Sequence, residues 1–311
     1  MPTPPLSKEI MIETLRLWEE NGRNAVAASR TINISDKTFQ HRLQKAQATF
    51  PDGIPESLKL TKRWVYPRMI TKDVPSSTWI IGSDLHIWDG EPPLIYQAFI
   101  KLCKTLKPDG VILNGDVLDA ARISRHPAVR GTTAPKFETE VETAKRWLKK
   151  IPKTKYRLWT IGNNDIRLDN YIAANASELD GFIVSLQDHF KDWEFAWAFE
   201  LNQTVEIRHR FRSGIHAAYN SSQHAGISTI TGHTHQLQVT ALRDRRGSRW
   251  GVETGTLADP YGPQFQYTEG SPSRAQMGFA VITFDEDGTL FPPELCEMMG
   301  GRPVFRGAHV L

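Results

Sequence analysis

A chain of 311 residues, 40% hydrophobic and 23% charged, has room for one large domain and a small one and the composition of an ordinary folded protein. Two cysteines, Cys103 and Cys296, are too few for a disulfide framework, and no apolar run approaches membrane-spanning length. Met1-Pro2-Thr3-Pro4-Pro5 lacks the apolar centre of a signal peptide, so the expected setting is a reducing cytoplasm, away from membranes. The net charge of +3 is uneven: residues 1–72 hold twelve Lys/Arg and seven Asp/Glu, a balance of +5, which points to a front end that faces nucleic acid.

In chain order, residues 8–20 read as an amphipathic helix, with Ile10, Met11 or Ile12, Leu15 and Trp18 at helical spacing and Asn21-Gly22 at its end. A short helix over 24–30 carries Ala25, Ala27 and Ala28, small enough for close packing. Ser35 is a good N-cap for a third helix over 36–49, with Phe39, Leu43 and Ala46 on its inner face. Its outer face offers Lys37, Gln40, His41, Arg42 and Lys45. Three such helices resemble a helix-turn-helix of the Fis-like or homeodomain-like kind. That resemblance implies a DNA partner read by the third helix in the major groove. A small helical docking domain is the competing reading.

Residues 51–76 mix prolines with Lys59, Lys62, Arg63, Arg68 and Lys72, which predicts a basic linker with a β-arm near Trp64-Val65-Tyr66. The body then spans 77–311. It alternates strand 78–83, helix 92–106, strand 110–114, a long loop over 120–137, helix 137–150 and strand 156–161. The loop holds Arg122, Arg125, His126, Arg130 and Lys136, and its length marks it as substrate-facing. Residues 166–190 read as irregular helix. Trp193, Phe195, Trp197 and Phe199 alternate strictly and predict one strand with four aromatics on its core face. Strand 203–209, helix 217–225 and strands near 227–231, 237–242, 249–253 and 278–284 complete the body. The Asp285–Gly288 cluster reads as a turn.

Five of these strands end in metal-ligating residue types. Ile80-Ile81-Gly82-Ser83 runs into Asp84-Leu85-His86. Val111-Ile112-Leu113 runs into Asn114-Gly115-Asp116-Val117-Leu118-Asp119. Leu158–Ile161 precedes Gly162-Asn163-Asn164-Asp165, His209 ends an alternating strand, and Ile227–Ile230 precedes Gly232-His233-Thr234-His235. Sites in α/β sheets form where strand carboxyl ends converge. This ordered set resembles the calcineurin-like metallophosphoesterases over roughly residues 78–284. The resemblance implies a two-sheet α/β sandwich behind the small all-α helix-turn-helix domain, in the manner of phage-type members.

By the same resemblance, Asp84, His86 and His235 hold one divalent metal ion and Asn163, His209 and His233 a second, with Asp116 bridging. Mixed nitrogen and oxygen ligation without thiolate favours manganese, with iron, zinc or magnesium as alternatives. His209 is preferred over His216 because it ends a strand, although Arg210 follows where the family usually has Gly. Asp119 is expected to orient a ligand. The implied activity is metal-dependent phosphodiester hydrolysis on DNA, with Arg122 or Arg167 adding positive charge. The third motif departs from the family: Asn164 stands where a His acts as general acid, with Asp165 expected to orient residue 164. Either the enzyme is weakened there, naturally or by design to trap substrate, or another His such as His126 supplies the proton. A phosphatase or small-molecule phosphodiesterase is the enzymatic alternative. A DNA-binding regulator with an inactive catalytic body is the non-enzymatic one. The number of subunits is left open.

Overall fold

A computed structural model describes residues 6–32, 34–51, 53, 66–125, 133–176, 185–245, 247–268 and 274–311. His126, Arg130, Lys59, Lys62, Arg63 and the arm residues Trp64 and Val65 lie outside the described residues. The chain divides into two compact units, Met1–Val65 and Tyr66–Leu311.

The first unit holds three helices: α1 (Lys8–Glu20), α2 (Ala25–Thr31) and α3 (Asp36–Thr49). Each begins where a side-chain oxygen takes up free N–H groups. Ser7 accepts from Ile10 N, Asn24 from Val26 and Ala27 N, and Ser35 from Thr38 N. The core is Leu15, Leu17, Ala28, Phe39, Leu43, Ala46 and Phe50. Ala28 and Ala46 are fully buried, so small side chains let the helices approach. Ser29 Oγ donates to Asp36 Oδ1 at 2.6 Å and ties α2 to the start of α3. Lys37, Gln40, His41 and Lys45 are exposed on α3, and Arg42 is half-buried.

The second unit is an α/β sandwich of two mixed sheets. The larger contains β2 (Thr78–Gly82), β3 (Gly110–Asn114), β4 (Tyr156–Thr160), β5 (Glu194–Ala196), β11 (Gly278–Thr283), β12 (Glu294–Met299), β13 (Arg302–Phe305) and β14 (Ala308–His309), in the order β14-β13-β12-β11-β2-β3-β4-β5. The smaller contains β1 (Ile70–Lys72), β6 (Ala198–Leu201), β7 (Val205–Arg208), β8 (Ser228–Thr231), β9 (Leu237–Asp244) and β10 (Gly247–Thr254), in the order β1-β6-β7-β8-β10-β9. Strands β2 to β5 run parallel, as do β7, β8 and β10, so two sets of carboxyl ends point the same way along their sheets. The core between the sheets takes Trp79, Ile81, Ile112 and Leu158 from one side and Phe199, Ile207, Ile230 and Val252 from the other. Helices α4 (Leu94–Leu106) and α5 (Phe137–Leu148) cover the other face of the large sheet, where Phe99 meets Phe279 and Tyr96 meets Trp147. Helix α8 (Ala217–Ala225) lies on the small sheet, close enough that a Cβ on Gly251 would fall 2.1 Å from the Ala218 carbonyl. Helices α6 (Arg167–Asn175) and α7 (Leu186–His189) follow β4.

Three expectations change. Residues 66–76 belong to the body: Tyr66 is buried against Phe195 and Trp197, and Ile70–Lys72 pairs with β6. They read as linker because an edge strand keeps its basic side chains in water. The aromatic run 193–199 is two strands. The chain leaves the large sheet after Ala196 and enters the small one at Ala198, which leaves Trp197 exposed at the corner. The C-terminal meander β12–β14 was not read. Its turns, Gly300-Gly301 and Arg306-Gly307, all have positive φ, as two-residue hairpin turns require.

Candidate metal centre

The site forms because the chain stays paired beyond the ends of β2 and β3. Asp84 N donates to Gly115 O at 2.9 Å and His86 N to Asp116 O at 3.0 Å, so the first two motifs run side by side. Gly232 N donates to His209 O at 2.9 Å and sets the fourth and fifth motifs together in the same way. The two sheets meet here: Ser83 Oγ lies 2.7 Å from Thr254 Oγ1, and His233 N donates to Asp84 Oδ2 at 3.0 Å. Asp84, His86, Asp116, His233 and His235 all adopt positive φ. Such backbone costs roughly 1–3 kcal/mol per residue and persists only where the surroundings impose it.

Two groups of ligand atoms result, Asp84 with His86 and His235, and Asp116 with His209 and His233. Within each group the atoms lie within 4.8 Å of one another. His86 Nε2 faces His235 Nε2 at 3.2 Å, and His235 Nε2 is 3.1 Å from Asp84 Oδ1. His209 Nε2 is 3.2 Å from Asp116 Oδ2. The other ring nitrogens are held from outside: His209 Nδ1 donates to Asn114 O at 2.7 Å, and His86 Nδ1 donates to Asp119 Oδ1 at 3.0 Å. Those bonds fix the tautomers and leave the Nε2 lone pairs pointing into the groups. Burial opposes charge on His86 and His209, but Asp119 and Asp84 raise the first to about 10, and Asp116 and Asp84 raise the second to about 9. Burial also works against the Asp84 carboxylate, yet His235 and His209 hold it well below the usual range. Carboxylates that draw positive charge so strongly suit a cation.

Whether the residues fit metal ions is tested by their unpaired atoms. Asp84 Oδ1, Asn163 Oδ1 and His209 Nε2 are buried without a hydrogen-bond partner, the first and last facing other candidate ligands, His235 Nε2 and Asp116 Oδ2. A buried polar atom left so costs on the order of 1–3 kcal/mol unless something else binds it. All three are ligand atoms of the resemblance. Asn163 turns its Nδ2 to Asn164 Oδ1 at 2.9 Å, which frees its own oxygen. The donor set therefore fits two divalent cations. The motif order expected from the resemblance is thus brought together at one place in an α/β sandwich of two sheets.

No protein-family model matches the chain. Two phage proteins are similar in sequence. The Gene 54 protein of Mycobacterium phage L5 is 28% identical over 230 residues, 66% of this chain and 88% of that protein. The Gene 54 protein of Mycobacterium phage D29 is 30% identical over 138 residues, 43% of this chain, and the match spans about half of that protein, 52%. Similar solved structures include Vps29 complexed with Zn+2 from Entamoeba histolytica, at 12% identity and TM-score 0.38, covering 75% of this chain and 99% of that one. The phosphoesterase Yfce from E. coli has 14% identity and TM-score 0.32, covering 70% and 97%. A dimetal phosphatase from Danio rerio has 10% identity and TM-score 0.34, covering 68% and 94%.

The other residues of the sequence motifs lie around the two groups. Asn164 is buried. Its N–H donates to Asp116 Oδ1 at 2.7 Å, and its Nδ2 lies 3.4 Å from Asp119 Oδ1 and 3.1 Å from His86 Nδ1. Asp165 does not serve as the orienter expected for residue 164. Its carboxylate accepts from Val117 N, Leu118 N, Trp159 Nε1 and Gly162 N and holds two motif loops together. Asp119 is the acid that faces residue 164. Arg167 donates to the Asp119 carbonyl, whereas Arg122 is exposed and donates to Ala134 O at 3.0 Å. His216 is exposed at the start of α8, and His209 is buried in the second group.

Sequence reasoning missed four residues. Asn114 supplies the carbonyl for His209, and buried Glu140 accepts from Asp119 N and Ala120 N at 2.5 and 2.7 Å. Burial pushes Glu140 up to about 8. Buried Glu253 accepts from Thr234 and Gln238 and anchors the fifth motif. Phe265 lays its ring 5.0 Å from His86 and 5.4 Å from His235. Asn114 was in the second motif's own string; the others carry no local signal.

Proposed function

We propose that this chain is a metal-dependent phosphodiesterase that cleaves DNA, and that its front unit is a helix-turn-helix that brings duplex to the body. The observation that carries the catalytic part is the pair of largely buried ligand groups, with three ligand atoms that lack a hydrogen-bond partner, at the junction of two sheets. Asp84, His86 and His235 would hold one cation and Asp116, Asn163, His209 and His233 the other, with manganese the first choice and Asp116 the bridge. Two such cations supply Lewis-acid polarisation of a phosphoryl group and an activated water. The protein's own residues hold the imidazoles in one tautomer through Asp119 and Asn114 and bring positive charge close by. Arg167 binds the Asp119 carbonyl, and Arg210 follows His209 directly in the chain. Cations beside a phosphate site suit a polyanion.

Asn164 donates hydrogen bonds but delivers no proton, so the leaving alkoxide departs slowly. This favours a second reading, a DNA-binding regulator whose catalytic body is silent. One assay separates them and also tests a phosphatase or small-molecule role. The chain and Asn164→His are given manganese and linear duplex, circular duplex or single-stranded DNA, beside a nitrophenyl phosphodiester and a nitrophenyl phosphomonoester. Manganese-dependent DNA cleavage, abolished by chelator, is expected for both proteins and is faster for Asn164→His. Hydrolysis of the small esters with intact DNA would overturn the nuclease reading.

A further inference from the structure

Beside the metal centre lies a surface that the hydrolytic reading does not use. The segment Pro263–Thr268 follows the sheet junction and carries Phe265 and Tyr267. Phe265 is buried against the two ligand imidazoles, and its ring sits 6.4 Å from that of Tyr267, tilted by 59°. Tyr267 itself is 62% exposed, far more than an aromatic side chain in a core. Through Phe265 it stands next to His86 and His235, and Arg167 is tied to the same place by its bond to the carbonyl of Asp119, the acid that holds His86 Nδ1. Arg167 opens α6, and Tyr171 follows it by one turn on the same helix face, 46% exposed. Aromatic faces and a guanidinium thus lie next to the place where a phosphate would be held.

We infer that Tyr267, Arg167 and Tyr171 form a stacking platform for the unpaired bases beside the scissile phosphate, which makes single-stranded DNA the strand the body acts on. The inference rests on the nuclease reading above and narrows it. The chemistry is that of single-strand recognition generally: rings accept bases of any sequence on their faces, and an arginine stacks or pairs with the phosphate between them. A paired base in a duplex has both faces covered by its neighbours and cannot use such a ring. Phe265 links Tyr267 to the ligand imidazoles, so a base on Tyr267 and a phosphate at the metal centre are positioned together. A phosphomonoester or a small non-nucleotide diester would have no use for exposed rings flanking the site.

The test uses the full chain with manganese and a short single strand carrying 2-aminopurine, whose fluorescence is quenched by stacking. We expect quenching on binding with the unaltered chain and with Tyr267→Phe, which keeps the ring. With Tyr267→Ala the quenching is lost and affinity falls roughly ten-fold, the scale of one base–aromatic stack. Tyr171→Ala acts in the same direction, and both side chains are exposed enough that folding is not at stake. A strand of abasic units binds the unaltered chain about as weakly as the normal strand binds Tyr267→Ala, and combining the two changes adds little, because both remove the same contact. Equal quenching and affinity for Tyr267→Ala and the unaltered chain would overturn the platform, and if cleavage of single strands persists in that case the nuclease reading still stands. Tyr267-dependent quenching without cleavage of any DNA leaves the platform and removes the nuclease reading.

Discussion

At the scale of single residues, the decisive side chains are Asn164 and Asp116. Asn164 sits with its amide toward Asp119, so an imidazole in its place would be oriented by Asp119 rather than Asp165. Asn164→His is expected to raise DNA cleavage by roughly 10²–10⁴-fold, the usual worth of a positioned general acid. The gain should be small on a nitrophenyl ester, whose leaving group needs no proton. Adding Asp119→Asn should cancel most of the gain. Unchanged DNA cleavage by Asn164→His at full metal occupancy would remove the missing-acid idea. Asp116 accepts from Asn164 N–H through one oxygen and faces His209 with the other, at the heart of the second group. Asp116→Ala is expected to lose bound metal and activity together, read by metal analysis of the purified variant. Retention of two metal equivalents would refute its role as the bridge.

At the scale of the motif loops, each glycine proves to be the seat of another motif's ligand. A Cβ on Gly115 would fall 2.4 Å from the His209 ring, one on Gly162 2.2 Å from Asp116 N and Oδ1, and one on Gly232 2.7 Å from Asp84 Oδ2. Gly115 also has φ +81, so Gly115→Ala combines backbone strain with a clash. It should cost about 1–3 kcal/mol in chemical denaturation and weaken metal binding. Gly214→Ala is the control, because Gly214 has φ +94 with nothing within 4 Å, so it pays strain alone and should leave metal titration unchanged. If both variants bind metal alike, the glycine is a turn residue and no more. These glycines also show what sequence could reveal. The strands leading to Asp84, Asp116 and His233 were legible because parallel strands buried on both faces read as continuous apolar runs ending in polar residues. Which ligand rests on which glycine was not, since Gly115 and His209 meet only through the sheet junction. The same limit hid Glu140 and Glu253, whose buried roles depend on partners 20–21 and 15–19 residues away. Strand β1 was hidden differently: three residues are too few to show a period, and basic neighbours masked an edge strand.

At the scale of the whole molecule, each of the two units has its own buried core, Leu15 with Phe39 and Leu43 in one, Trp79 with Phe199 and Ile230 in the other. The candidate metal ligands all lie in the second unit, from Asp84 to His235, while the exposed Lys37, Gln40, His41 and Lys45 all lie on α3 of the first. Binding and chemistry should therefore separate. A chain starting at Tyr66 is expected to fold, to unfold in one cooperative transition and to hydrolyse a small nitrophenyl ester at the rate of the full chain. Its affinity for duplex DNA should fall at least about ten-fold at low salt, because the α3 cations no longer reach phosphates. The dependence on salt carries the sharper information. Each phosphate contact releases counterions, so the logarithm of affinity falls linearly with the logarithm of salt concentration, with a slope set by the number of contacts. The full chain should show the steeper line, and the truncated chain a shallower one that reports only cations such as Arg167 and Arg210 on the body. Parallel lines with equal affinity for the two chains would show that α3 does not touch DNA, and the first unit would then be a docking module for something else.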